Sequence, residues 1–370
     1  MRIAIVCDWL TVSAGAERAI SAFQAAFPTS PIFTTVWRKG QIGSLATSDI
    51  RVSRLQRLYR FVRHHQLLLA LMPRAVEDLD LRDYDIILSS SHAVAKGVIP
   101  PSHAVHICYC HTPMRYAWEM EEQYLNDFRI PKMVRPWMRR RLAELRRWDL
   151  GTAKRVDVFL ANSSTTAERI SRIYGRKSMV IPPPVHERFF RNPVASRESR
   201  VAKSFLAVGR LVPYKKFDLL IEVANAMQLP LTIVGKGQDL ERLKGLAGPT
   251  VTFAGFVDDE HLPALYQSAS AVLFPPFEDA GIVPLEAQAL GVPVIAYAKG
   301  GSLDTVIDGV TGIHFTEQSV EALKGAIERF RSTSWDHDAI RAHAKQFSQA
   351  GFQERIKKIV EEGYALFHAA

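Results

Sequence analysis

Short apolar runs rich in β-branched residues alternate along this chain with longer stretches whose hydrophobic positions recur every three or four residues. The first pattern predicts buried strands and the second amphipathic helices. In the first half, strands are expected at Arg2–Cys7, Ile32–Val36, Ile86–Ser89, Val105–Cys110, Val158–Asn162 and Met179–Ile181. Helices are expected to start near Ala14 and, after the capping run NSST, near Ser164. The second half repeats the alternation. Strands are expected at Ser204–Val208, Leu231–Val234, Val251–Ala254, Ala271–Phe274, Val292–Ala296 and Gly312–Phe315, with helices such as Phe217–Met227, Asp239–Leu246, Leu262–Ser268 and Ser319–Phe330. Strand and helix in turn give βαβ units and parallel sheets covered on both faces. Pro182–Pro184 interrupts the pattern as a stiff linker. The expectation is therefore an α/β chain of two Rossmann-like, doubly wound domains. They span residues 1–183 and 184–350, and a separate helix at 351–370 packs back toward the first.

Length agrees, since 370 residues is about two ordinary domains. No run approaches the roughly 18 to 20 apolar residues that cross a bilayer. The opening MRIAIVCDWL is too short an apolar stretch for a secretion signal, so it reads as the first strand. Three cysteines make no disulfide framework and fit a reducing cytoplasm. Charge changes the picture more. The net +9 lies in the first half, where residues 1–185 hold 27 Lys and Arg against 16 Asp and Glu, while residues 186–370 hold 20 against 22. Two arginine-rich stretches carry much of it, Arg51–His65 (with Arg57 and Arg60) and Met133–Trp148 (with Arg139, Arg140 and Arg141). Each reads as an amphipathic helix on an anionic membrane or as a solvated helix face. Nucleic acid is the other partner of basic patches, but no helix-turn-helix, zinc-finger or RNP-like pattern accompanies them.

Candidate chemistry concentrates at strand ends. In FPPFEDAGIVPLE, Glu278 lies on the loop after a buried strand, and Glu286 is expected on the first turn of the helix beyond it, beside free backbone N–H groups. Carboxylates next to a phosphate site suit a sugar nucleotide; an acidic loop with a dipole-favoured glutamate is the alternative. Gly209, Arg210 and Lys215 come after another strand, and a guanidinium fork with a compact ammonium suits a diphosphate. Ala14 and Gly15 stand before the first helix without a G-x-G-x-x-G fingerprint, which disfavours a nicotinamide enzyme. His111 ends the strand VHICYC and either faces a ligand or is structural. Cys108 and Cys110 share one strand face with no second ligand pair, which disfavours metal.

The ordered set AGAER, HTPMRYAWE, VGRL with Lys215, VGKG, AGFV and EDAGIVPLEAQALGVPVIAYAKGG resembles the retaining glycosyltransferases of family 4, over nearly the whole chain. HTPMRYAWE with GIVPLEAQA resembles the branch of bacterial O-antigen and polysaccharide mannosyltransferases. The resemblance implies the GT-B fold, two Rossmann-like domains facing a central cleft. It also implies roles. Glu278 would contact the transferred sugar and Glu286 the nucleotide ribose, while Arg210 and Lys215 would clamp the diphosphate. Gly281, Ile282 and Val283 would meet sugar and phosphates. Gly235 and Gly237, with Gly255, Phe256 and Val257, would line the nucleobase pocket. His111 would sit near the sugar, and Gly15 would close over the phosphates. Three positions depart from the family pattern: Ala14 where a paired glycine is common, Ala280 where phenylalanine is common, and Lys216 where glycine is common.

The resemblance further implies a hexosyltransferase that moves mannose from GDP-mannose, with no metal, to a lipid-diphosphate-linked saccharide. It would work in the cytoplasm, peripherally attached to the inner face of the membrane, in surface polysaccharide synthesis. Retention would proceed without a protein nucleophile. GDP-rhamnose or a UDP-hexose is the alternative donor, and a non-catalytic nucleotide-sugar or membrane-binding scaffold the alternative class.

Overall fold

A computed structural model describes residues 1–11, 15–119, 121, 132–191 and 204–369. Ala14, one of the departures above, lies outside the described residues. The chain forms two compact units, residues 1–183 together with 352–370, and residues 184–351.

The first unit is built on a parallel sheet of β1 (Ile3–Cys7), β2 (Ile32–Thr34), β3 (Ile50–Val52), β4 (Ile86–Ser91), β5 (Val105–Cys110), β6 (Val158–Ala161) and β7 (Ser178–Val180). Its strand order is β3-β2-β1-β4-β5-β6-β7. Every residue of β1, β4 and β5 is buried, because helices cover both faces. Alternation divides each strand between two cores. Ile3 and Ile5 face one cluster with Ile107 and Tyr109, while Ala4 and Val6 face another with Ile87. Cys108 and Cys110 do share a face, in a third cluster with Phe159 and Ile170. The terminal helix Gln349–Ala369 belongs here by the same logic: Phe352, Ile356 and Val360 complete the core beneath Ile3, Ile5 and Ile107.

The second unit repeats the scheme with β8 (Phe205–Val208), β9 (Leu231–Val234), β10 (Val251–Gly255), β11 (Ala271–Phe274), β12 (Val294–Tyr297) and β13 (Gly312–Phe315), ordered β10-β9-β8-β11-β12-β13. In both sheets the order reverses beside the first strand of the unit, between β1 and β4 and between β8 and β11. At such a reversal the connections leave toward opposite faces of the sheet, and open α/β sheets bind ligands in the crevice at the strands' carboxyl ends.

Local chemistry sets the helix ends. Ser163 accepts from Thr166 N at 3.1 Å to cap the helix Ser164–Tyr174, which Gly175 closes in the left-handed conformation. The two arginine-rich stretches fare differently. Arg51–His65 is not one helix, contrary to expectation: Ile50–Val52 is an edge strand, Gln56–Val62 is an α-helix ending at left-handed Arg63, and a 3-10 helix begins at His65. Arginine at every third position mimicked a helix face, but Arg51 is bound to Asp49 and the Tyr84 hydroxyl and lies over the Phe33 ring, which fixes the strand edge. The Met133–Trp148 stretch does hold a helix, Arg135–Thr152. Leu142 is buried on its inner side, while Trp148 donates to Glu77 at 2.9 Å.

Candidate active site

The loops that leave β8 and β11 meet at the reversal point of the second sheet. From β8 come Gly209, Arg210 and a short 3-10 turn, Pro213–Lys215; from β11 comes the loop that carries Glu278 to the helix Ile282–Ala289. The Lys215 ammonium contacts the Glu278 carboxylate, and both side chains are largely buried. Burial first, and then the neighbouring Arg210 guanidinium, pull the Lys215 ammonium down to about 8. The Glu278 carboxylate against it opposes that pull. Arg210 is exposed and donates to the Tyr214 hydroxyl at 3.2 Å, so its fork lies at the mouth of the same loop. Lys215 and Glu278 are thus in contact, with the Arg210 guanidinium as an electrostatic neighbour, a set that favours a ligand with both phosphates and hydroxyls.

Glycine makes this packing possible at two places. A side chain at Gly235 would put its Cβ 1.8 Å from the Gly209 carbonyl oxygen, so the loops after β8 and β9 touch through bare backbone. Gly209 N donates to Val234 O at 3.0 Å and Gly235 N to Gly255 O at 2.7 Å, tying three strand ends into one floor. A Cβ on Gly300 would lie 2.1 Å from the Glu278 carbonyl oxygen, and Gly301 N donates to that oxygen at 2.9 Å. The glutamate loop therefore rests on the glycine pair after β12. Lys216 holds φ 57° and ψ 35°, a left-handed geometry in which glycine is free of the side-chain penalty. That accounts for glycine as the common residue at this position.

The remaining expected positions are divided between the two units. Gly281 is the N-cap of the helix Ile282–Ala289, so Ile282 and Val283 form its first turn with their N–H groups toward the loop. Glu286 is not on that turn. The helix starts before Pro284, which places Glu286 one turn further along, 2% exposed, where it accepts from the Tyr266 hydroxyl at 2.8 Å. Gly237 packs on the Leu211 carbonyl. Phe256 is two-thirds exposed with Lys236 5.0 Å above its ring, and Val257 joins the neighbouring core. His111 and Gly15 belong to the first unit. His111 comes directly after β5, shares a 2.8 Å hydrogen bond with Ser90, and is held down to about 3 by burial and by the nearby His92 charge. Gly15 is the exposed first residue of the helix Gly15–Ala26. Arg57 and Arg60 are exposed on their short helix, Arg139 pairs with Glu121, and Arg140 and Arg141 pair with Glu144. Among the described residues no cluster of three His, Cys, Asp or Glu is placed to hold a metal ion.

Sequence reasoning did not single out Asp8, Trp9, His65 or His92. They gather at the reversal point of the first sheet, with Asp8 1% exposed and bonded to the His92 ring at 2.8 Å. The available signal was positional: Asp8 and His92 each stand just beyond a predicted strand.

Known proteins share this architecture. The lipopolysaccharide outer core galactosyltransferase WaaB superposes with a TM-score of 0.67 at 17% identity, over 98% of this chain and 99% of that one. HepE from Anabaena, solved in complex with UDP-glucose, gives 0.70 at 18% identity, over 98% and 100%. The fold is GT-B. Sequence models agree: the family described as glycosyltransferase family 4 matches residues 15–189, and that of glycosyl transferases group 1 matches residues 191–353. The chain belongs to the family 4 glycosyltransferases. A GDP-mannose-dependent alpha-(1-6)-phosphatidylinositol monomannoside mannosyltransferase of Mycobacterium tuberculosis is 34% identical over 198 residues, 46% of this chain and 51% of that protein. A glycogen synthase of Xanthomonas oryzae is 37% identical over 135 residues, 34% of this chain and 26% of that one. The chain thus spans about half the length of the mannosyltransferase it matches, and less of the synthase.

Proposed function

We propose that the protein is a retaining hexosyltransferase that moves mannose from GDP-mannose to a lipid-linked or oligosaccharide acceptor in bacterial surface polysaccharide synthesis. The observation that carries this reading is the contact between Lys215 and Glu278, with Arg210 beside them, at the β8/β11 reversal point. The two groups neutralise each other. An arriving diphosphate takes Lys215 and Arg210 as counter-ions and frees Glu278 to accept from sugar hydroxyls. The N–H groups of the first turn of Ile282–Ala289 add donors toward the phosphates. Buried Glu286, braced by Tyr266, serves the ribose, and the backbone floor at Gly235 and Gly237, with Phe256 and Val257, serves the base.

In the transfer step the acceptor oxygen bonds to C1 of the sugar as the C1–phosphate oxygen bond breaks. The electron pair leaves on the nucleotide diphosphate, whose oxygen takes the acceptor's proton. Arg210 and Lys215 stabilise the charge that develops on that leaving group, so positioning and electrostatics supply most of the rate. No metal is assigned a part. His111 and Gly15 act from the first unit, which in this reading receives the acceptor.

The mannose donor is favoured by the mycobacterial mannosyltransferase relative. Attachment to an anionic inner-membrane surface from the cytoplasmic side is favoured by Arg57 and Arg60, because Leu58, Phe61, Leu67 and Leu71 stand exposed around them, Phe61 at 86%. Among the described residues no helix is long and apolar enough to cross a membrane. A thermal-shift screen of GDP-, UDP- and ADP-sugars tests the donor assignment. GDP-mannose at a hundred times its Kd stabilises by about 2.7 kcal/mol. A larger shift with GDP-rhamnose or a UDP-hexose reassigns the donor, and no shift with any of them refutes the reading. Binding without turnover identifies a scaffold.

A further inference from the structure

At the reversal point of the first sheet, three imidazoles and an indole gather around one buried carboxylate. Asp8 accepts four hydrogen bonds. His92 N and His92 Nδ1 reach Oδ2 at 2.8 Å each, and Val94 N and Ala95 N reach Oδ1 at 2.6 Å each. Trp9 stacks on His65 and meets His92 edge-on, with ring centroids 4.7 Å apart in both pairs. His92 and His111 lie 6.2 Å apart, ring to ring. Thr11 bonds His65 Nδ1 at 3.0 Å and Ser90 bonds His111 Nε2 at 2.8 Å. Of these three imidazoles, His92 is the one bonded to the carboxylate, while the other two bond to hydroxyls.

That division fixes where the proton sits. For His92, burial opposes the charge, but the Asp8 carboxylate, with Glu17 on the helix Gly15–Ala26 adding to it, more than offsets burial and raises the imidazole above its ordinary range. His65 is held down to about 4 and His111 to about 3, each by burial first and then by the His92 charge. His92 is therefore the imidazolium of the cluster. Its Nδ1 is committed to Asp8, its outer Nε2 has no hydrogen bond among the described residues, and its side chain is 30% exposed. Three of the four donors to Asp8 are backbone N–H groups that anchor the loop after β4. The fourth is the His92 ring, and that bond orients an imidazole whose far edge reaches solvent.

We propose that Asp8 and His92 form a ligand-binding dyad, in which Asp8 holds the ring through Nδ1 and His92 Nε2 donates a hydrogen bond to a hydroxyl of a saccharide bound at the carboxyl edge of the first sheet. The saccharide class rests on the transferase reading above. A charged donor binds a hydroxyl more strongly than a neutral ring does. As pH rises past the His92 value, Nε2 loses its proton and the bond weakens. His65 and His111 stay neutral throughout that range.

The test uses the full chain with nitrogen-15-labelled histidines, without donor, titrated with octyl α-D-mannopyranoside from pH 6 to 9. The dyad predicts that the glycoside moves the His92 ring signals and that its Kd rises about tenfold across the His92 titration. It predicts that His92→Gln, whose amide can still donate to Asp8, binds about tenfold more weakly at pH 6 and shows a flat profile. His92 signals that do not move at high glycoside, or a His92→Gln profile that tracks the wild type, overturn it. GDP-mannose turnover is measured separately, so an inactive protein that still binds the glycoside through His92 refutes the transferase reading and leaves the dyad standing.

Discussion

Replacing Lys215 tests the proposal that the second unit receives a diphosphate there. The ammonium sits largely buried against Glu278 and near Arg210, and it titrates at about 8. A diphosphate needs it protonated. At pH 7 about nine-tenths of the molecules carry the charge and at pH 9 about one-tenth do, so donor affinity should fall about tenfold between the two. The sign comes from linkage: above pH 8 binding must recruit a proton that the free protein no longer holds. Arginine stays charged throughout, so Lys215→Arg should lose this component of the slope even if its longer fork lowers affinity at every pH. Lys215→Met should weaken binding about ten- to hundredfold with no lysine-dependent slope, the usual worth of a hydrogen bond to a charged group. Isothermal titration with GDP-mannose at pH 7, 8 and 9 reads all three proteins. Ionisation of the ligand's base is common to them, so the difference between wild type and Lys215→Arg isolates the lysine. Equal slopes in those two proteins would refute the assignment of Lys215 to the diphosphate.

The first unit offers three further tests. Lys96 and Asp149 are 2% and 0% exposed, with Nζ 2.7 Å from Oδ1 and Tyr174 and Trp118 also donating to that carboxylate. Lys96→Met should cost about 3 to 5 kcal/mol by leaving a buried charge unpaired, and a melting temperature within a degree of wild type would contradict it. His106 is fully buried, donates through Nδ1 to the Arg155 carbonyl and accepts from Ser89, and burial holds it down to about 4. The unfolded chain takes up this proton first, so its stabilisation is complete above pH 6.5 and is lost as pH falls toward 4, about 3 kcal/mol in all. Denaturant titrations of His106→Gln should show a correspondingly shallower acid limb. Replacing Arg139, Arg140 and Arg141 by glutamine should weaken binding to anionic vesicles and leave donor affinity intact; unchanged vesicle binding would reduce them to a solvated face paired with Glu121 and Glu144.

Much of the architecture was legible because parallel strands covered on both faces must be apolar throughout. Val105–Cys110, Leu231–Val234, Ala271–Phe274 and Gly312–Phe315 begin and end where the pattern placed them. Edge strands escape that rule. In Ile50–Val52 two of three residues are exposed, so the strand disappeared into an arginine repeat. Helix phase was the second weak point: a left-handed Gly281 starts the helix at Ile282, and that offset carried Glu286 from the expected first turn into the core beside Tyr266. The pairing of Asp8 with His92 was hidden for a different reason, although each stands just beyond a predicted strand. Its partners are 84 residues apart, and only the order of β1 and β4 in the sheet brings them together.

In the proposed transferase the β8/β11 loops hold a nucleotide sugar, with Glu278 on the sugar. The most direct measurement is release of GDP from GDP-mannose by the purified protein, with and without a mannoside acceptor, for wild type and Glu278→Gln. Wild type should release GDP, and faster with the acceptor. Glu278→Gln should melt as a folded protein and release GDP at least a hundredfold more slowly, as expected when a catalytic polar contact worth about 3 kcal/mol is removed. A Glu278→Gln rate near that of wild type would contradict the account.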